Sequence, residues 1–110
     1  MLNLRLYMAQ RLSAMVMIPL TLGHIAVMIY AVQDGLSAAE ILGRTKGSIA
    51  WFVFYGLFVV AVALHASIGL RVIVHETLGL KGRGLDIFMW LAGLVLLAMG
   101  LRALFAVTLS

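Results

Sequence analysis

His65 is the residue whose type and surroundings most directly suggest chemistry. It lies in an apolar run of helix length, residues 49–75, and precedes the first charge of that run, Arg71. An ionisable group inside such a helix needs a partner or a ligand that offsets its desolvation, and neutral imidazole is a common metal ligand. Ala61 and Gly69 lie four residues before and after it, so a coordinating nitrogen stands between two small residues. That face has room for a flat cofactor.

His24 is a second histidine within an apolar run, which also contains Pro19. Counted from the midpoints of the predicted helices, His24 and His65 lie roughly 4 to 5 Å on opposite sides of the membrane midplane. We therefore do not expect one ligand to reach both. Two tetrapyrroles stacked across the membrane would need histidine ligands at two such depths, whereas a single tetrapyrrole near the inner face needs only His65. Hydrogen bonding or packing against a neighbouring helix is the other interpretation of each histidine, and it is favoured for His24.

Polar side chains gather at one end of the predicted helices: Arg11 and Ser13 on the first, and Arg71, His75 and Glu76 on the second. Guanidinium groups there can bind propionate carboxylates bidentately, and a hydroxyl beside an arginine can hold a quinone carbonyl. Anchoring at the membrane surface explains part of the arginine count, and His75 is interpreted as an ordinary interfacial histidine. The sequence has no nucleophilic triad, phosphate loop or paired-carboxylate site.

The composition is that of an integral membrane protein. With 110 residues, 65% hydrophobic and 11% charged, and a mean hydropathy of +1.16, the chain lies outside the soluble range and forms at most one domain, residues 1–110. The lack of cysteine excludes iron–sulfur and thiolate zinc ligation by this chain. Basic residues flank the apolar runs, so the net charge of +4 is a topology signal and does not indicate nucleic-acid binding.

Three segments are long and apolar enough to cross a bilayer, and they are predicted at residues 12–33, 49–75 and 87–107. Residues 1–11 are predicted to form a short interfacial segment or a frayed terminus. They contain no small-residue cleavage site, so we expect the first span to be retained. In the first connection, Ser37 and Glu40 are spaced as the capping box of a short interfacial helix.

Basic residues are more numerous at one end of the three spans. Five lie at the start of the first span and around the second connection, and three lie at the opposite end: Arg5, Arg11, Arg71, Lys81 and Arg83 against Arg44, Lys46 and Arg102. By the positive-inside rule the N-terminus faces the cytoplasm or the matrix and the C-terminus faces out. We call the end with the N-terminus the inner end and the opposite one the outer end.

Two short motifs support a resemblance to a known family. Residues 65–71, HASIGLR, form an H-x-x-x-G-x-R motif on the second of three helices, followed by Glu76 in place of a frequent aspartate. Residues 10–14, QRLSA, are similar to an H-R-x-S-G run that begins the first helix. With the three-span plan, the sequence resembles the membrane-anchor (cytochrome b) subunits of succinate dehydrogenase and fumarate reductase. It departs from them at Gln10 and Ala14, and at Thr77, where one anchor type has tyrosine.

The resemblance implies a role for each candidate residue. His65 would ligate haem b, Arg71 would lie near a propionate or the interface, and Arg11 and Ser13 would form part of a quinone pocket. His24 would ligate a second haem in a two-haem form, so one haem or two are open at this point. The implied complex is a succinate:quinone oxidoreductase of the bacterial cytoplasmic membrane, in which this chain would be a non-catalytic subunit. The implied partners are a second membrane-anchor subunit, and an iron–sulfur subunit and a flavoprotein subunit docked on the inner face of that membrane.

Two other functions compete with this one. A small transporter also fits the length and hydrophobicity, but carriers generally need a charged residue near mid-membrane. The four carboxylates lie at or outside the predicted helix ends, which argues against transport: Asp34, Glu40, Glu76 and Asp86. A structural subunit without haem is the remaining alternative if both embedded histidines only pack against neighbouring helices.

Overall fold

Helices account for all the regular structure in the computed structural model, which describes residues 3–109. They are α1 (Leu4–Asp34), α2 (Ala38–Thr45), α3 (Ile49–Leu78) and α4 (Arg83–Thr108). α1, α3 and α4 are long and apolar enough to cross a membrane. The predicted all-α membrane architecture with three spans is therefore confirmed.

α3 lies between the other two long helices and runs antiparallel to both. α1 meets it near the inner end, where Ser13 contacts His65, and near the outer end, where Gly23 faces Phe54. α4 packs along α3 more extensively than α1 does, whereas α1 and α4 make few direct contacts with each other. Most large apolar side chains are exposed, as expected of surfaces that lipid or a partner chain covers.

Glycines of α4 allow it to approach α3 closely. A Cβ placed on Gly100 would lie 2.5 Å from Cγ1 of Val59, and one on Gly93 would lie 3.3 Å from Cβ of Ser67. Small residues at such positions let membrane helices come into backbone contact. Gly93 and Gly100 therefore serve the packing of α4 on α3.

The long helices extend beyond the predicted spans. α1 begins at Leu4 instead of residue 12, because the Asn3 side chain caps it by accepting from the N–H of Leu6 at 2.9 Å. The separate interfacial segment predicted for residues 1–11 is therefore wrong for its described part, and residues 1 and 2 lie outside the described residues. α1 is about 46 Å long by its helical rise, against a hydrocarbon core of roughly 30 Å.

The other helix ends also differ from the hydropathy pattern by a few residues. α3 continues to Leu78 and stops where Gly79 adopts a left-handed conformation with φ of 71°, which glycine accepts without steric cost. α4 begins at Arg83, with Asp86 in its first turn. A carboxylate at that position interacts favourably with the positive end of the helix dipole.

The predicted short helix of the first connection is present as α2. Its capping box is complete: the Ser37 N–H donates to Glu40 Oε1 at 3.2 Å, and the Glu40 N–H donates to Ser37 Oγ at 3.1 Å. Hydrogen bonds from the Ser37 side chain and then its backbone hold the pKa of Glu40 below its ordinary value of 4.5. The cap is therefore made with an ionised carboxylate at neutral pH.

α2 connects the outer ends of α1 and α4. Thr45 Oγ1 donates to the carbonyl of Val107 at 2.6 Å, and the Gly47 N–H donates to the carbonyl of Thr108 at 2.7 Å. Arg44 forms an ion pair with Asp34 at the end of α1, at 2.7 Å. Hydrogen bonds and an ion pair therefore join the outer ends of α1 and α4 through α2 and the residues that follow it.

Candidate cofactor-binding site

His65 lies in the inner half of α3 and is half-buried against α1. Its Nδ1 is 3.4 Å from Oγ of Ser13, and the same hydroxyl lies 3.0 Å from the backbone carbonyl of Gln10. Ser13 is the one buried residue of α1. Two residues that the sequence assigned to different roles, haem ligation and quinone binding, are thus in direct contact.

His65 also borders an open groove of about 390 Å³ on the side of α1. The other lining residues come from α1 and are mostly apolar: Ala14, Met17, Ile18, Thr21 and Leu22. An apolar groove with a single imidazole at its edge suits a flat macrocycle held by one axial nitrogen. The donor set and the mostly apolar lining of this groove therefore fit haem.

The small residues that flank His65 along α3 serve helix packing and do not line the groove. Ala61 is buried, and a Cβ on Gly69 would lie 3.5 Å from the Gln10 side-chain nitrogen. The face predicted for a flat cofactor is therefore partly covered by α1, and the groove is lined by α1 beside that face. Gln10 Oε1 is buried there and has no hydrogen-bond partner.

His24 lies in the outer half of α1 and packs against aromatic rings of α3. Its ring centroid is 5.0 Å from that of Phe58 and 6.0 Å from that of Tyr55. Its Nδ1 is buried without a hydrogen-bond partner. It borders a second pocket of about 330 Å³, whose other lining residues come from α2, α3 and α4.

The two histidines lie at clearly different depths. Ser13 marks the level of His65 on α1, and His24 follows it by eleven residues, which corresponds to about 16 Å of helical rise. The predicted helix midpoints give a separation of roughly 9 Å. The two values differ because the midpoints do not include the register between α1 and α3. The larger value agrees with the prediction that one ligand cannot contact both.

The polar residues predicted to gather at the inner end have separate partners. Arg71 of α3 forms an ion pair with Asp86 of α4, and its Nε is buried without a partner. Arg11 is exposed, donates to the Tyr7 hydroxyl at 3.3 Å and lies over the Tyr7 ring. The structure therefore does not join Arg11, Ser13 and Arg71 into one set of contacts.

His75 lies in the last turn of α3, where its interpretation as an interfacial residue predicts it to be. Its Nδ1 lies 2.9 Å from the carbonyl of Leu80, and because a carbonyl only accepts, Nδ1 carries the proton. Glu76 is exposed. No three histidine or carboxylate side chains between residues 3 and 109 are grouped as a non-haem metal site would need.

Sequence reasoning did not identify Asp86 as the partner of Arg71 or the two α3 rings that hold His24. The signal for Asp86 was its place in the first turn of α4, just across the short inner connection from Arg71. The rings on α3 carried no such signal, since nothing in the sequence relates Tyr55 or Phe58 to His24. Contacts between spans depend on helix register, which hydropathy does not reveal.

Comparison with known proteins gives one match. A family model described as the succinate dehydrogenase/fumarate reductase transmembrane subunit matches residues 2–107. No curated protein and no solved structure matches the chain.

Proposed function

This chain belongs to the succinate dehydrogenase/fumarate reductase transmembrane-subunit family, and from that premise we propose that it binds one haem b through His65. The chain is thus an integral membrane subunit of an oxidoreductase complex, and it carries no catalytic residue of its own in this proposal. It would help to form a quinone site and anchor the catalytic subunits. When bound, haem b supplies one-electron transfer between the partner subunits and the quinone.

The contact between His65 Nδ1 and Ser13 Oγ carries the proposal. With Nδ1 occupied by the hydroxyl, Nε2 is the nitrogen available to a metal. His65 borders the groove beside α1, whose other lining side chains are mostly apolar. Axial ligation, burial and nearby charge are the means by which a protein tunes a haem.

The open side of the groove supports the proposed partner. A flat cofactor resting against α1 and α3 would leave one face exposed to lipid, and a second anchor subunit would cover that face. The basic residues of the inner end favour a cytoplasmic orientation and a docking face there for the iron–sulfur and flavoprotein subunits. We place this complex in a bacterial cytoplasmic membrane.

Quinone binding near the inner end rests on fewer contacts. Arg11 is exposed there, and the buried Gln10 Oε1 has no partner. Arg11 is the residue we assign to a quinone carbonyl, because its guanidinium retains free donors beyond its contact with Tyr7. Arg71 is assigned to charge compensation near the haem.

His65→Ala in the assembled complex tests haem ligation. We expect loss of the b-type spectrum with retained insertion, since α3 is apolar enough to span without an imidazole. His75→Ala is the matched control, because it removes a histidine of the same helix whose ring contacts a backbone carbonyl. An unchanged haem spectrum in an assembled His65→Ala complex would contradict the proposal and favour a structural subunit without haem.

A two-haem form is the second candidate, favoured by the unpartnered Nδ1 of His24. A buried imidazole nitrogen without a partner carries a desolvation cost that a ligand would offset. His24 would hold that haem toward the outer end, since His24 lies about 16 Å of helical rise from Ser13, the residue of α1 at the level of His65. The aromatic contacts of His24 with Tyr55 and Phe58 support the simpler packing role equally well.

A further inference from the structure

Ser13 occupies an unusual position for a hydroxyl residue. It is 5% exposed and is the one buried residue in a 31-residue helix whose other side chains are exposed or half-buried. The most enclosed position of α1 is therefore occupied by a polar side chain. A polar group at such a position is expected to have a specific hydrogen-bonding role.

The hydrogen bonds of Ser13 have a defined direction. Its hydroxyl has one proton, and the backbone carbonyl of Gln10, 3.0 Å away, can only accept it. The hydroxyl oxygen is then an acceptor toward His65 Nδ1, at 3.4 Å. This assigns the proton of the neutral imidazole to Nδ1 and leaves the lone pair on Nε2.

We infer that Ser13 is a positioning residue for His65: it accepts the Nδ1 proton, orients the ring and holds the tautomer whose Nε2 can ligate haem iron. This inference rests on the proposed function. Ligating histidines almost always donate their other N–H to an acceptor, which fixes the tautomer and raises the basicity of the ligand. The acceptor here is a serine on the neighbouring span.

The same geometry argues against a quinone role for Ser13. Its only proton is donated to Gln10, so it has none for a quinone carbonyl, and its burial leaves little surface for a substrate. Of the two residues that the resemblance assigned to the quinone pocket, Arg11 is exposed and keeps free donors. Ser13 therefore acts on the haem ligand.

Ser13→Ala and Ser13→Thr in the assembled complex test this role. The alanine variant should retain haem about 10-fold less tightly and show a more positive haem midpoint potential, since a less basic imidazole stabilises the oxidised iron less. The threonine variant keeps the hydroxyl and should restore both properties. The quinone KM should stay at its wild-type value in both.

Ser67→Ala is the matched control. Ser67 is also buried and also donates to a carbonyl three residues earlier, that of Leu64, but it faces Gly93 of α4. Its alanine variant should keep the wild-type haem potential and retention. If Ser13→Ala fails to assemble, Ser13→Cys replaces it, because a thiol has nearly the same shape and is a weak acceptor.

Two results would overturn the inference. One is a wild-type haem potential and retention in Ser13→Ala, or in Ser13→Cys, and a raised quinone KM in the same variant would return Ser13 to the quinone site. The other is an altered potential that Ser13→Thr does not restore or that Ser67→Ala reproduces. Failure of the proposed function is recognised separately, because His65→Ala would then retain its haem.

Discussion

Arg71 of α3 and Asp86 of α4 form an ion pair across the inner connection. The arginine side chain is 13% exposed and the aspartate side chain 55%, so the pair lies at the boundary between the helices and the water. The sequence suggested a guanidinium free to bind a propionate or a quinone. Asp86 instead forms an ion pair with one of its nitrogens. A nearby cofactor would therefore be subject to the electrostatic field of the ion pair, not to that of an isolated positive charge.

Substitutions on the two sides of this pair should shift the haem midpoint potential in opposite directions. Arg71→Leu leaves the aspartate charge, which stabilises oxidised iron and lowers the potential, whereas Asp86→Asn leaves the arginine charge and raises it. Arg71 follows His65 by six residues, about 9 Å of helical rise. At roughly 10 Å and an effective dielectric constant of about 20, one charge contributes about 1.7 kcal/mol, or several tens of millivolts for one electron.

Redox titration of the purified complex measures both shifts. Glu76→Gln is the control, because it removes an exposed inner carboxylate five residues beyond Arg71 and should change the potential much less through solvent screening. If Arg71→Leu and Asp86→Asn leave both the potential and the quinone KM at wild-type values, Arg71 serves only to anchor α3 at the interface.

His24→Phe separates the one-haem and two-haem forms, because phenylalanine keeps the aromatic contacts with Phe58 and Tyr55 and removes the nitrogens. With one haem at His65, the variant should lose no haem and change stability by about 1 kcal/mol or less. With two haems, the ratio of haem to flavin should fall by half while the inner haem keeps its spectrum. A wild-type ratio near one would reject the two-haem form before any substitution is made.

Gly100→Ala should weaken the packing of α4 on α3. The new methyl group would lie 2.5 Å from Val59 Cγ1, and a β-branched side chain in a helix has little freedom to move aside. Overpacking of this kind costs about 1 to 3 kcal/mol, which thermal or denaturant unfolding in detergent measures.

Gly43→Ala is the matched comparison for Gly100→Ala. Gly43 is also helical, but a Cβ there meets nothing within 4 Å, so the higher helix propensity of alanine should stabilise α2 slightly. Equal stability of the two variants would contradict the close packing of α4 on α3 at Gly100.

The N-terminal cap of α2 should depend on pH. Hydrogen bonds from Ser37 lower the pKa of Glu40 from 4.5, so the stabilising contribution is fully present above that value and is lost as pH falls through the lower pKa of the folded state. Hydrogen exchange of the α2 amides between about pH 3 and pH 6 should show this loss. Glu40→Gln keeps a side-chain acceptor for the cap and should remove the part of the pH dependence that Glu40 causes. If the pH profile of amide exchange is unchanged in this variant, another group causes the loss of protection.

The sequence predicted the three spans well because hydropathy is averaged over many residues. It did not predict where the helices end, since Asn3 and Gly79 terminate α1 and α3 by local hydrogen bonds and backbone conformation. The helices therefore continue past the hydrocarbon into segments that contain charges. The capping box of Ser37 and Glu40 was predictable because it depends only on spacing along the chain.

The sequence also identified His65 and Ser13 as candidate residues, but not their contact. That contact depends on the register of α1 against α3, which also places Gly23 opposite Phe54 and sets the distance between the two histidines. Register arises from side-chain packing between two apolar surfaces, and one sequence without its structure does not determine it. The same reason explains why the partner of Arg71 was missed.

α1 has an ion pair at its outer end and a hydrogen bond to α3 in its inner half. Outside, Asp34 is paired with Arg44, whereas within the described residues the long contact of Ser13 with His65 is the hydrogen bond that joins its inner half to α3. Pro19 lies between these regions and cannot donate a backbone hydrogen bond. We therefore expect the inner half of α1 to move about Pro19. This movement would open a route by which a flat cofactor reaches His65 once the chain is inserted in the membrane.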